Sequence, residues 1–147
     1  MKSIFKSKHP SDASEQKAAE KEIRQELEKQ LEVQLNSQLQ IDQHIELDGF
    51  ADGSSPICVE IWAHQGSSKG SQPSKVMGDC CKLLLVEKLL GKPCRKIFAV
   101  CDREALAFLR RSWRGLFMEK FGIEIKVVGI SKEIRRRLKK AQKDMYR

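Results

Sequence analysis

Two carboxylates, Asp48 and Glu60, stand where register arithmetic brings them face to face. Residues 40–50 (QIDQHIELDGF) and 57–64 (ICVEIWAH) both alternate apolar and polar side chains, with the turn-forming cluster ADGSSP between them. An antiparallel hairpin centred on Ser54 sets Asp48 opposite Glu60, Glu46 opposite Trp62 and Phe50 opposite Cys58. Ile45, Leu47, Val59, Ile61 and Ala63 then share the other face, which reads as core. Like charges directly opposed on a sheet destabilise it. Two acids held this close suit a shared proton or a divalent cation. The plain alternative is a pair of solvated charges on an exposed sheet face.

A helix after the hairpin carries Lys75, Asp79 and Lys82 at helical spacing, on the flank away from most of Met77, Cys81, Leu84, Leu85 and Leu89. If that flank turns toward the hairpin, a lysine there can orient a water or stabilise charge developing on a phosphate. An intrahelical Lys–Asp–Lys salt bridge in solvent explains the same spacing. His64 reads as a phosphate or water contact, or as an incidental loop histidine. The loop QGSSKGSQPS, with Lys69 and Gln72, has small residues that let a backbone approach a phosphate, Lys69 being the expected nucleic-acid contact, and carries no nucleotide-binding fingerprint. Asp102 reads as a helix N-cap.

The elements that must position these groups follow from the apolar periodicity. Residues 1–12 read as a flexible basic tail. A helix spans 13–37, with Ala19, Ile23, Leu27, Leu31 and Leu35 as a narrow stripe. After the hairpin and loop, 75–90 is the most apolar helix, closed by Gly91 and Pro93. A buried strand at 95–101, a helix at 103–121, a strand at 123–130 and a basic helix at 132–146 complete the chain. The order α, β, β, α, β, α, β, α implies an α/β domain over 13–130. Its mixed sheet begins with an antiparallel hairpin, is flanked by helices and gains parallel strands through right-handed crossovers. Residues 131–147 form an appended basic segment.

The 147 residues carry a net charge of +8, concentrated in KEIRRRLKKAQKDMYR, with eight basic and two acidic residues. Arg135, Arg136, Arg137, Lys139 and Lys140 therefore read as a backbone-binding face for nucleic acid, DNA being the expected partner. A solvated helix that keeps the protein soluble is the alternative. The five cysteines contain no C-x-x-C pair and read as reduced thiols of a cytoplasmic protein. No stretch has the length and apolarity of a membrane span, and nothing at the N-terminus predicts export.

The run IELDGF, a short turn and VEIWAH resemble the active-site hairpin of the PD-(D/E)XK nuclease superfamily, which has the restriction-endonuclease-like fold. The resemblance covers roughly residues 20–130. It implies a Mg2+- or Mn2+-dependent endonuclease that hydrolyses phosphodiester bonds, with Asp48 as the first metal-binding acid and Glu60 as the second. Leu47 stands at the position of the motif proline, and Trp62 at that of the motif lysine. The superfamily tolerates a lysine that migrates to the next helix, so Lys75 and then Lys82 are the expected replacements. The first helix of the superfamily often adds an acid, a role open to Glu20 or Glu26. The competing readings are a catalytically inactive nucleic-acid-binding or assembly module on the same fold, and an unrelated α/β protein that forms a homodimer through its long charged first helix.

Overall fold

The computed structural model describes residues 10–36, 39–42, 44–63 and 72–145. The elements are α1 (Pro10–Leu31), β1 (Leu39–Asp42), β2 (Ile45–Leu47), β3 (Gly49–Ala51), β4 (Ile57–Trp62), α2 (Gln72–Leu90), β5 (Arg95–Val100), α3 (Arg103–Arg111), α4 (Trp113–Lys120), β6 (Ile123–Val127) and α5 (Lys132–Met145). The main sheet has the order β3-β4-β5-β6, antiparallel at β3–β4 and parallel at the other two junctions. β1 and β2 form a separate antiparallel pair. The chain is thus a mixed α/β domain.

Both faces of the sheet are covered. On one, Cys58, Trp62, Phe98 and Val100 pack against Val76, Cys80, Leu83 and Val86 of α2 and against Ala105, Leu109 and Met118 of α3 and α4. On the other, Val59, Ile61, Ile97 and Ala99 pack against Ala19, Ile23 and Leu27 of α1 and Leu138 of α5. α5 lies along α1, so the basic helix shares this second core. Strands buried on both faces need apolar side chains at successive positions, which is what IFAV in β5 provides.

Three elements differ most from their sequence expectation; beyond them, β6 stops at Val127 and not at 130, and α2 begins at Gln72 and not at 75. The predicted strand at 40–50 breaks into β1, β2 and β3, because the chain turns at His44 and bends at Asp48. The register beyond the bend is as predicted: Gly49 faces Val59 and Phe50 faces Cys58. Before it, β2 pairs with β1, so Glu46 faces Gln40 and not Trp62. Ile45 and Leu47 consequently join the core beneath α2, not the one that holds Val59, Ile61 and Ala63. Gly49 makes the close return possible, since a Cβ there would lie 3.3 Å from that of Val59.

The predicted helix at 103–121 is two helices. Ser112 ends α3 and begins α4: its N–H and its hydroxyl both donate to the Leu109 carbonyl, and its Oγ accepts from the Arg114 N–H. Finally, residues 10–12, expected in the basic tail, belong to α1, which ends at Leu31, short of the expected 37. Glu32 follows with φ of 55°, a left-handed conformation that stops the helix.

Candidate functional site

β4 carries Glu60 into the layer beneath α2, between the apolar Cys58 and Trp62 that point the same way. Glu60 is only 1 % exposed. On α2 the core positions Val76, Cys80 and Leu83 follow the helical repeat, and Asp79 and Lys82 fall on the flank beside them. Lys82 Nζ forms an ion pair with Glu60 Oε1. That oxygen is buried and has no hydrogen bond of good geometry, so the pair leaves it incompletely satisfied.

Asp48 arrives from the opposite side, at the bend where the chain leaves the sheet. Its Oδ2 accepts a 2.8 Å hydrogen bond from the Ile61 N–H and so takes the place of a neighbouring strand. The Asp48 carboxyl lies close enough to Glu60 to disfavour a second charge there. Burial, and then the neighbouring Asp48, push the Glu60 carboxyl up to about 10. Burial likewise raises Asp79 to about 6, against the lowering effect of Lys82 and Lys75. Lys82 is raised in turn, because its bond to Glu60 and three nearby carboxylates outweigh its desolvation.

α1 adds a fourth acid. Glu20 is raised by burial and by the charge of Asp48, and lowered by Lys75, by a hydrogen bond from Gln16 and by Arg24. Its apolar neighbours Ala19 and Ile23 hold this turn of α1 on the sheet. Glu26 lies six residues on, about 240° around the helix axis from Glu20. Of the two first-helix acids, it is Glu20 that the fold brings to Asp48.

The structure thus gathers Asp48, Glu60 and Lys82, with Asp79 and Glu20 beside them. Lys75 is exposed at the rim, close enough to lower both Glu20 and Asp79. Lys82 and not Lys75 is the lysine in contact with the acid pair. Trp62 is buried and stacks obliquely against Phe98, with ring centroids 6.3 Å apart, so the position aligned with the motif lysine belongs to the core. Lys69 and His64 lie outside the described residues. Among the described residues, no three His, Cys, Asp or Glu side chains are arranged to hold a metal ion.

The basic helix is less uniform than its sequence. Arg135 donates to the Cys101 carbonyl at 3.0 Å and so ties α5 to the end of β5. Arg136 and Arg137 pair with Glu133, at 3.2 and 3.0 Å. Lys139 and Lys140 are exposed. From the sequence, Asp79 reads as the middle of the Lys75–Lys82 flank, with no role of its own in the site. Its signal was the i, i+3 spacing to Lys82 on the polar flank of an otherwise apolar helix.

Among known proteins the chain matches no family model, no curated protein and no solved structure. No helix among the described residues is long and apolar enough to cross a membrane.

Proposed function

We propose that the chain is a metal-dependent nuclease of the restriction-endonuclease-like type, which hydrolyses phosphodiester bonds in DNA. The observation that carries this reading is the meeting of Asp48, Glu60 and Lys82, from a bend, a strand and a helix, at one buried point. The order of elements supports it: a helix, a hairpin bearing both acids, a helix bearing the lysine, and a strand parallel to β4.

The donor set fits Mg2+ or Mn2+. Both acids offer hard oxygens, and Glu60 Oε1 is buried with its hydrogen bonding incomplete. Mg2+ commonly takes one or two protein carboxylates and completes its shell with water and substrate phosphate. Asp48 and Glu60 would hold the ion between them. When bound, the ion supplies Lewis acidity toward a phosphoryl oxygen and a lowered pKa for water.

The chain's own groups do the rest. Asp48 is held in orientation by the Ile61 N–H. Lys82, once Glu60 turns to the cation, is free to orient the attacking water and to offset negative charge on the phosphate. The charge of Asp79 adds to that of Glu60 in favouring the ammonium form of Lys82. Lys139 and Lys140 supply sequence-independent attraction to the DNA backbone. The free thiols support a reducing compartment, the cytoplasm.

Plasmid and single-stranded DNA incubated with Mg2+ or Mn2+ test the proposal. Cleavage by the wild type, lost in Asp48→Asn and Glu60→Gln, is the expected result. DNA binding without cleavage under either metal would replace it with the inactive binding module.

A further inference from the structure

We propose that the α3–α4 junction is a second nucleic-acid contact, one that stacks Trp113 on an unpaired base while Arg110 and Arg111 take the flanking phosphates. Trp113 is 60 % exposed, at the first position of α4. The Arg114 guanidinium lies 4.9 Å from the centroid of its ring. The exposed indole thus offers flat apolar surface beside a cation. Arg110 and Arg111 are exposed in the last turn of α3, directly before the junction. Residues 105–118 contain three arginines and no acid.

The junction is built to hold this group still. Ser112 caps both helices, bonding to the Leu109 carbonyl and accepting from the Arg114 N–H. Gly115 completes the lock: a Cβ there would fall 2.5 Å from the Leu109 carbonyl oxygen, so only glycine lets α4 seat on the end of α3. The backbone positions that carry the indole and the guanidinium groups are thus held in fixed relation, which lowers part of the ordering cost of binding.

The chemistry of the patch selects its ligand. Arginines with no acid among them call for an anion. An exposed indole beside them calls for a flat π-system. A nucleotide strand offers both within one repeat, and aromatic stacking is tolerant of base identity. A base inside a duplex has both faces covered already, so the platform favours single-stranded or locally unpaired nucleic acid.

This inference rests on the nucleic-acid part of the function proposed above and not on cleavage, so its test is run in EDTA. Trp62 is buried and Trp113 exposed, so oligonucleotide quenching of the tryptophan emission reports on Trp113. Oligo(dT), oligo(rU) and a blunt duplex of equal length are titrated. Saturable quenching is expected, with at least one single strand bound more tightly than the duplex. Trp113→Ala should weaken single-strand binding about tenfold, measured by anisotropy of a labelled strand, and leave the salt slope unchanged. Trp113→Phe should retain most of the affinity. The Arg110→Ala/Arg111→Ala variant should instead flatten the salt slope by about one to two.

Single-strand affinity that is unchanged in Trp113→Ala overturns the inference. So does an unaltered nucleic-acid profile accompanied by a changed sedimentation coefficient, which would make the patch a protein interface. Asp48→Asn abolishes cleavage on the proposed function and leaves the quenching intact, so the two readings fail separately.

Discussion

α2 makes two lysine–glutamate pairs with the sheet, one near mid-helix and one closer to its C-terminal end, and they are mirror images in composition. Lys82 reaches from the helix to Glu60 on β4, whereas Lys96 reaches from β5 to Glu87 on the helix. At the second pair everything is satisfied. Glu87 Oε2 accepts from Lys96 Nζ at 2.6 Å and from the Cys94 N–H at 2.8 Å. The backbone bond, then the lysine, hold the Glu87 carboxyl below its ordinary value. At the first pair, burial and a second carboxylate drive Glu60 the other way, up to about 10. An ion pair by itself therefore says little. What separates a structural pair from a functional one is whether the acid's lone pairs are filled and whether a further like charge has been forced beside it.

Activity is where that contrast should be greatest. Glu60→Gln or Asp48→Asn should lower metal-dependent cleavage by about 10²-fold or more, and Lys82→Ala by a comparable factor. Glu87→Gln should leave turnover at the wild-type level. A nuclease assay on the four variants checks this, and equal losses at both pairs would erase the distinction.

Stability should respond in the opposite sense. Glu87→Gln removes a charged acceptor from two hydrogen bonds and leaves Lys96 buried with a weaker partner, at a cost of about 1–2 kcal/mol. Glu60→Gln should stabilise the metal-free protein at neutral pH, because the native state no longer has to take up a proton. Thermal melts in EDTA read both, since about 2–4 °C correspond to each kcal/mol in a chain of this size.

The pH dependence separates the pairs further. Glu60 rises from 4.5 to about 10 on folding, so its contribution is fully present below pH 4.5 and is lost as pH climbs toward 10. The gain in Glu60→Gln should therefore widen from pH 5 to pH 9. Glu87 is lowered from 4.5, so its contribution is present above that value and disappears as pH falls through the native one. The penalty in Glu87→Gln should shrink below pH 4.5. Melts of the three proteins across this range decide the signs, and parallel curves would refute both.

The smallest effect belongs to the exposed pair of Arg95 and Glu124, 2.7 Å apart. Despite its good geometry, Glu124→Gln should cost about 0.5 kcal/mol, and less in high salt. Denaturant unfolding at two ionic strengths gives the comparison. It sets the scale against which Glu87 counts as more than a surface pair.

How much of this was legible in the sequence depended on whether local pattern or tertiary position decided the outcome. Period-two alternation and the ADGSSP turn were enough to set Phe50 opposite Cys58. The same alternation, read straight through Asp48, assigned Ile45 and Leu47 to the wrong core. A single bend inverts every side chain before it, and the Asp48–Gly49 dipeptide, a turn signal, was its only trace. The split at Ser112 was visible only as a capping residue inside a helical pattern. Asp79 and Lys82 were found as a helical flank. That they meet Glu60, while Lys75 stays at the rim, depends on the angle at which α2 lies on the sheet, which spacing along one chain does not encode.

The bond between the Ile61 amide and Asp48 has a spectroscopic consequence. An amide within a sheet ordinarily exchanges its hydrogen with solvent when strands part, a cooperative event as costly as subglobal unfolding. This amide, in the middle of the domain, is guarded by one carboxylate instead, and a turn of the Asp48 side chain suffices to expose it. Ile61 should therefore exchange faster than Val59 on the same strand. Its rate should change when the carboxylate is drawn to another ligand, so that one backbone signal reports occupancy of the acid pair in the intact protein.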